Sequence, residues 1–424
     1  MGNSTDFNRA IEIGRPPNIQ RLFPHSRALI VSGKVIDRAM RAKGKAMTIA
    51  ANGRSSIVIR GALMAAQRAN AAIIIEIAKS ESNYCPVNLW NLARHVDAFC
   101  NEMNITIPVA VHADHFSIKQ ISDIAPSRII IPSAFDAGLT SIAIDASHLI
   151  DDENLKANID LSRFIPAWAG YETEVGEIKG KEGLSTPQEA SFLIQGMNAH
   201  KIYPDWIALN NGTTHGIEAS DAGINVELTR EIHMAIDKYG VSGAQHGTSG
   251  NDLERLKKIA ADTHTTKANV ATALQMIAWG VKVNAFGNAE IDDKGGFIKM
   301  DNAGLDNELW NEMVSYADKN SIKGGDYKKL NLPFENQILS QDAQTRARMA
   351  KAVEEFVYML LNDTFNASNT ADLAIEAILE AESYDLGPKG SLIEDPAEWT
   401  EAKFTARARA IDKKEDTSGK DYDD

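Results

Sequence analysis

ITIPVAVHADH, residues 105–115, joins two kinds of sequence. IPVAV is a continuous apolar run of strand length. HADH directly behind it brings together His112, Asp114 and His115. An apolar run without polar alternation suits a strand covered on both faces, as in a parallel sheet. In a closed parallel barrel all strand C-termini open on one face, so polar residues behind such a run are where chemistry is expected.

The same pattern recurs outward in both directions. AMTIA (46–50), AAIIIEIA (71–78), SIAIDAS (141–147), WAGYETEVG (168–176), WIALNN (206–211), VSGAQHG (241–247) and TTKANVA (265–271) read as strands. Helical stretches fall between them at 57–70, 88–103, 117–128, 187–198, 228–240, 252–263 and 271–280. The strand cores, 46–50, 71–78, 105–111, 141–145, 170–176, 206–210, 241–245 and 265–270, predict a TIM (β/α)8 barrel with additional C-terminal helices. An open doubly wound sheet is the weaker alternative, because no glycine fingerprint follows the first strand. KVNAFGNAEI (282–291) competes for the place of the last strand.

Four regions follow. Residues 1–27 read as an N-terminal extension and 28–290 as the barrel. Residues 291–400 combine an excursion rich in Gly, Asp, Asn and Lys (291–330) with strongly helical sequence (340–385). Residues 401–424 read as a polar, disordered tail. The chain carries 44 basic against 58 acidic residues, a net charge of −14, with no basic tract. That balance excludes nucleic acid as a partner. No stretch reaches the ~18 uncharged apolar residues of a membrane span. Two cysteines, Cys85 and Cys100, match no metal knuckle and point to a reducing compartment. With no signal-peptide pattern at the start, a cytoplasmic location is expected.

Three histidines stand at strand ends. His115 follows IPVAV, His215 follows WIALNN within NGTTHG, and His246 follows VSGAQ. Three neutral imidazoles with an open fourth position suit Zn2+ or another divalent metal. ETEVG (172–176) adds Glu172 and Glu174 on one strand face, one as ligand and the other as a supporting group. Asp114 is placed for general acid/base work, or for orienting an imidazole. Strict strand alternation prevents His112, Asp114 and His115 from all pointing into one cavity, so His112 is read as support. HGTSGND (246–252) offers backbone N–H groups and the hydroxyls of Thr248 and Ser249 to a phosphate. KANVAT (267–272) offers Asn269 and Thr272. Glu182, on the GEIKGKEG loop (176–183), is a second acid/base candidate. Read blandly, the same features are polar strand ends, turns and a charged surface loop.

Taken in order, these segments resemble the class II (metal-dependent) fructose-bisphosphate aldolase family over about residues 28–290. The resemblance implies Asp114 and Glu182 as catalytic, and His115, His215 and His246 as metal ligands with Glu174 metal-associated. It places Asn52 of IAANG, Gly216, Gly247, Thr248, Ser249, Asn269 and Thr272 at substrate, and Asp145 of IDASHL in a structural or cavity-lining role. A divalent ion would act as a Lewis acid on a ketose phosphate, Glu182 would exchange a carbon-bound proton, and Asp114 would move the C4 hydroxyl proton. No lysine Schiff base is required, and Lys267 is a support or a phosphate-site neighbour. A monovalent cation near the phosphate site is a further candidate ligand. The implied setting is carbohydrate metabolism and glycolysis, with a phosphorylated sugar as partner in a homodimer or homotetramer.

The chain departs from the family pattern around the substrate. Gly247-Thr248-Ser249 replaces the usual Gly-Gly-Ser, IEIAKSE (75–81) lacks the usual polar strand end, and KGKEG lacks doubled acids. No distal basic residue for a second phosphate is apparent; arginines within 341–348 are the only guesses. Fructose 1,6-bisphosphate is therefore the default substrate and a related ketose phosphate its alternative. A metal-dependent isomerase or hydrolase, and a non-catalytic binding protein, are the competing classes.

Overall fold

The computed structural model describes residues 4–176, 183–212, 223–248, 251–284, 287–293 and 295–411. Eight strands close in chain order: β1 (Thr48–Asn52), β2 (Ile73–Ala78), β3 (Val109–Ser117), β4 (Ser141–Asp145), β5 (Gly170–Val175), β6 (Trp206–Leu209), β7 (Ser242–Gln245) and β8 (Thr265–Val270). Every pairing is parallel, and β1 closes on β8 with Ala50 opposite Asn269. This is the expected (β/α)8 barrel. Ile73, Ile74, Ile75 and Ile77 of β2 are all buried, as a strand covered on both faces requires. Each contributes ~1.5–3 kcal/mol through the area removed from water.

Helices α1 (Ser4–Ile13), α2 (Pro17–Leu22) and α3 (Gly33–Lys43) precede the barrel. Helices α4 (Ser56–Ala69), α5 (Leu92–Glu102), α6 (Ile124–Asp136), α7 (Asp151–Leu161), α8 (Pro187–Ala199), α9 (Val226–Ile236), α10 (Leu253–Asp262) and α11 (Thr272–Trp279) follow strands β1 to β8 in turn. Their starts are written locally. Ser55, Asn225 and Asp252 accept backbone N–H bonds at the beginnings of α4, α9 and α10. Thr186 and Glu189 form a reciprocal capping box at α8, with Pro187 as its first residue.

Among the described residues, five helices come after: α12 (Asn307–Lys319), α13 (Asn331–Ser340), α14 (Ala343–Met359), α15 (Thr370–Ala381) and α16 (Glu401–Ala408). Helix α14 packs along α4, and α15 packs on α1 and α3.

The N-terminal end of the barrel is closed by α3. Gly33 permits this approach, since a Cβ there would lie 2.6 Å from Ser141 Oγ. A C-terminal strap reinforces it: Lys389 Nζ donates to Ser242 Oγ at 2.8 Å and pairs with buried Asp37 at 2.5 Å. The C-terminal end remains for chemistry.

Three expectations are corrected and one open alternative is decided. Residues 117–128 are not one helix: β3 extends to Ser117 and α6 starts at Ile124. The excursion 291–330 contains α12, whose Leu309, Trp310, Met313 and Ala317 form a buried stripe at helical spacing. Between the two candidates for the last strand, 265–270 is the one in the barrel; among the described residues 282–284 and 287–291 join no barrel strand and make isolated antiparallel bridges, Val283 with Ala289 and Ile291 with Phe297. The polar tail does not begin at 401, because α16 buries Phe404 and Ala408. Residues 412–424 lie outside the described residues.

Candidate metal centre and active site

The HADH segment meets the barrel through an irregularity. Register between β3 and β4 shifts between Ala113 and Phe116, and His115 adopts a left-handed backbone, φ 39°. A bulge adds a residue to one strand and re-aims its side chains. Here it releases Asp114 and His115 from strict alternation, so both lie beside His246. These three offer ligand atoms within 4.8 Å of one another, and all are buried. The His115 and His246 rings meet edge-on, 4.3 Å between centroids.

Carboxylates complete the arrangement. His115 Nδ1 lies 3.5 Å from both Asp145 Oδ2 and Glu174 Oε2. Glu172, two residues before Glu174 on β5, turns to His246 instead: Nε2 donates to Glu172 Oε1 at 2.9 Å. That bond leaves Nδ1 as the free lone pair of His246. His246 Nδ1 and Glu174 Oε2 are buried and have no hydrogen-bond partner among the described residues. Buried polar atoms without partners are costly and call for an occupant. Gly247, φ 60°, turns the chain immediately after His246.

Below these groups Lys267 stands at the barrel axis, fully buried. Its Nζ donates to Glu172 Oε2 at 2.8 Å and lies 3.5 Å from Glu76 and 3.7 Å from Asp114. It also donates to His112 Nε2 at 3.1 Å. An ammonium cannot accept, so His112 carries its proton on Nδ1, which donates to Ser141 Oγ at 2.8 Å. Burial, aided by Lys267, pushes His112 down to about 3, so it stays neutral. Burial would lower Lys267, but Glu172, Glu76 and Asp114 outweigh it and hold the ammonium charged. Burial would raise Asp114, but His115, Lys267 and His246 keep it below the usual carboxylate range. Glu172 is likewise held down by Lys267 and His246 against the effect of burial. Glu76 goes the other way: burial and the Asp114 charge push it well above the ordinary value. Among the described residues, the anionic Asp114, Asp145 and Glu172 outnumber the Lys267 ammonium, a balance that suits a divalent cation.

Asn269 Nδ2 donates to Asp114 Oδ1 at 2.8 Å, which fixes the carboxylate and brings two expected site residues together. Asn52 lies at the end of β1, beside β8. Its Nδ2 donates to Glu81 Oε2 at 2.7 Å. Thr248 donates its hydroxyl proton to the Asn269 carbonyl, so that proton secures the loop and is not directed at a phosphate. Thr272 opens α11 next to this group. Glu182, His215, Gly216 and Ser249 lie outside the described residues.

Sequence reading missed Lys267 as a central group, and it missed Glu76, Glu81 and Arg54 altogether. Glu76 had a signal: it is the one charged residue inside the apolar run AAIIIEIA. Glu81 and Arg54 had none, since each is defined by partners distant in sequence.

A model of the family "Fructose-bisphosphate aldolase class-II" matches residues 33–321. The fructose-bisphosphate aldolase of Staphylococcus aureus (strain Mu50 / ATCC 700699) is 27% identical over 223 residues, 50% of this chain and 71% of that protein. That of Geobacillus stearothermophilus is 26% identical over 223 residues, with the same coverage. Among solved structures, the YdjI aldolase from Escherichia coli K12 superposes with a TM-score of 0.55 at 17% identity, covering 81% of this chain and 99% of its own. The fructose-bisphosphate aldolase from Campylobacter jejuni gives 0.54 at 17% identity, covering 81% and 97%. At such identities the superpositions establish the fold, while the family match spans most of the barrel together with Asp114, His115, Glu174 and His246. The chain belongs to the class-II fructose-bisphosphate aldolase family and is an enzyme of the lyase class.

Proposed function

We propose that this enzyme catalyses the reversible aldol cleavage of a ketose phosphate, with fructose 1,6-bisphosphate as first choice, giving dihydroxyacetone phosphate and glyceraldehyde 3-phosphate. The observation that carries the reading is that two buried groups of candidate ligands share His115, Asp114 with His246 and Asp145 with Glu174, and that His246 Nδ1 has no hydrogen-bond partner among the described residues. His115 and His246, with Glu174 and with His215 from outside the described residues, would hold Zn2+ or another divalent ion. When bound, such an ion supplies Lewis acidity toward the oxygens of the ketose.

The chain's own groups do the rest. Asp114 is anionic and has Oδ1 tied to Asn269, so Oδ2 is the atom that takes the C4 hydroxyl proton as the C3–C4 bond breaks. In condensation it returns that proton. Glu182 exchanges the proton at carbon on the three-carbon product. Asn52, Asn269, Gly247 and Thr272, together with Thr248, Gly216 and Ser249, line the substrate. Holding both ends of the sugar converts binding into orientation at the reacting carbon. A monovalent cation beside the phosphate loops is part of the same reading.

The phosphorylated sugar is the partner, taken by a homodimer or homotetramer. We place the enzyme in the cytoplasm and in glycolysis. Two buried free thiols, Cys85 and Cys100, suit a reducing compartment. Among the described residues no helix is long and apolar enough to cross a membrane.

The test is a product assay across ketose phosphates, with and without added zinc. Triose phosphate formed only by metal-loaded enzyme is expected. Full activity in a metal-free preparation overturns the mechanism, and an isomerised or dephosphorylated sugar without triose overturns the reaction.

A further inference from the structure

Gly53-Arg54 follows β1, and Arg54 turns inward beside the active site, where its side chain is only 7% exposed. Its Nε donates to Glu81 Oε1 at 2.5 Å. Its Nη1 lies 3.5 Å from Thr272 Oγ1 and 3.4 Å from Gln275 Oε1, so the guanidinium bridges the end of β1 and the first turn of α11. These bonds use Nε and Nη1. Among the described residues Nη2 has no acceptor.

The neighbouring amides have fixed orientations. Asn331 Nδ2 donates to the Lys328 carbonyl at 2.8 Å, which only a nitrogen can do. The same Nδ2 donates to Gln275 Oε1 at 2.8 Å. Gln275 therefore turns its oxygen to Asn331 and Arg54 and keeps its amide nitrogen as a spare donor. That Nε2 is buried and has no partner among the described residues. Asn52 is oriented in the same way by Glu81, which leaves its buried Oδ1 as an unused acceptor. The spare Gln275 donor thus belongs to the amide that Arg54 Nη1 contacts beside Thr272, and the Asn52 side offers an acceptor for a hydroxyl. Asn331 lies beyond residue 321, where the family match ends.

We propose that Arg54, held by Glu81 and flanked by Gln275, is the cationic contact for the phosphate of the substrate at the α11 end of the site. With Nε and Nη1 engaged, Nη2 is the guanidinium donor left to meet a phosphate oxygen. Glu81 supplies the positioning contact, and Asn331 fixes Gln275 so that its amide donor faces the same anion. The C-terminal helices thereby reach the substrate site through α13. This assignment rests on the ketose phosphate reading and adds a cationic side chain at the phosphate that dihydroxyacetone phosphate carries.

The experiment is calorimetric titration of zinc-loaded enzyme with dihydroxyacetone phosphate and with dihydroxyacetone. Two variants are compared with the parent, each checked for zinc content and melting temperature. Arg54→Lys keeps the charge opposite Glu81 but removes the second terminal nitrogen. The double variant Arg54→Met/Glu81→Gln removes both charges and strands neither. Both are expected to raise Kd for the phosphate ester, the double variant by about ten- to a hundredfold, with little change for dihydroxyacetone. A parent that prefers the phosphate ester and folded variants that prefer it equally overturn the Arg54 assignment alone. A parent that binds both compounds equally overturns the ketose phosphate reading and this inference with it.

Discussion

His246 and Glu172 are locked together: Nε2 donates to Oε1 at 2.9 Å, and neither side chain is more than 1% exposed. The bond sets the tautomer of His246 and points its other nitrogen at the site. A carboxylate in this position also raises the basicity of a metal-binding imidazole. Replacing Glu172 with Gln should therefore weaken zinc binding without removing any ligand. We expect a ~10–100-fold loss of affinity in a chelator competition assay. His246→Ala should abolish binding at the same site. Unchanged zinc affinity in Glu172→Gln would contradict the supporting role.

Asp114→Asn separates proton transfer from structure. Asparagine retains an oxygen to accept from Asn269, and His115, His246 and Glu174 are untouched. Zinc content should remain near that of the parent. The rate of cleavage should fall by ~10²–10⁴, the range for losing a positioned acid/base. Parent-like kcat with full zinc would remove Asp114 from the proton-transfer role.

Lys267 is the counter-charge of the barrel axis. Removing it as Lys267→Met leaves Glu172, Glu76 and Asp114 facing one another in a dry interior and takes the donor from His112. Breaking a buried pair on one side costs ~3–5 kcal/mol. Urea unfolding of the variant should show a loss of that order. A change under about 1 kcal/mol would mean that the carboxylates shed their charge by taking up protons instead.

These groups show where sequence reading succeeds and where it stops. The apolar run IPVAV before His115 is legible because a strand covered on both faces stays apolar until it reaches the open face, and His246 is legible from its place at the end of the next-to-last strand. The bulge at Asp114-His115 was not, because alternation is local and the kink depends on how β3 pairs with β4. Lys267 sits inside TTKANV, where a lone lysine reads as a support or a phosphate-site neighbour. Only the closed barrel reveals that it faces Glu76 and Glu172 from other strands. Arg54 and Asn331 lie hundreds of residues apart and meet through Gln275, a contact no spacing rule encodes. Helix α12 was hidden by the Gly- and Asp-rich flanks around its apolar stripe.

The opposite end of the barrel holds a buried carboxyl group of its own. Asp205 precedes β6, is 1% exposed, and accepts from the Tyr171 N–H at 3.0 Å. Burial pushes its carboxyl up to about 6, with Lys389 and Lys34 opposing and Asp37 assisting. The folded state therefore holds this proton more tightly than the unfolded chain, whose carboxyl titrates near ~3.9. Below that value the contribution to stability is fully present. It declines as pH rises and is lost once pH passes about 6. The shift corresponds to ~3 kcal/mol, since one unit is about 1.4 kcal/mol. Asp205→Asn keeps an oxygen for Tyr171 and cannot ionise. Relative to the variant, the parent should lose stability between pH 4 and pH 7 by an amount of that order in chemical denaturation. Parallel stability curves for the two proteins would show that Asp205 is already charged and fully compensated by Lys389 at the acid end of the range.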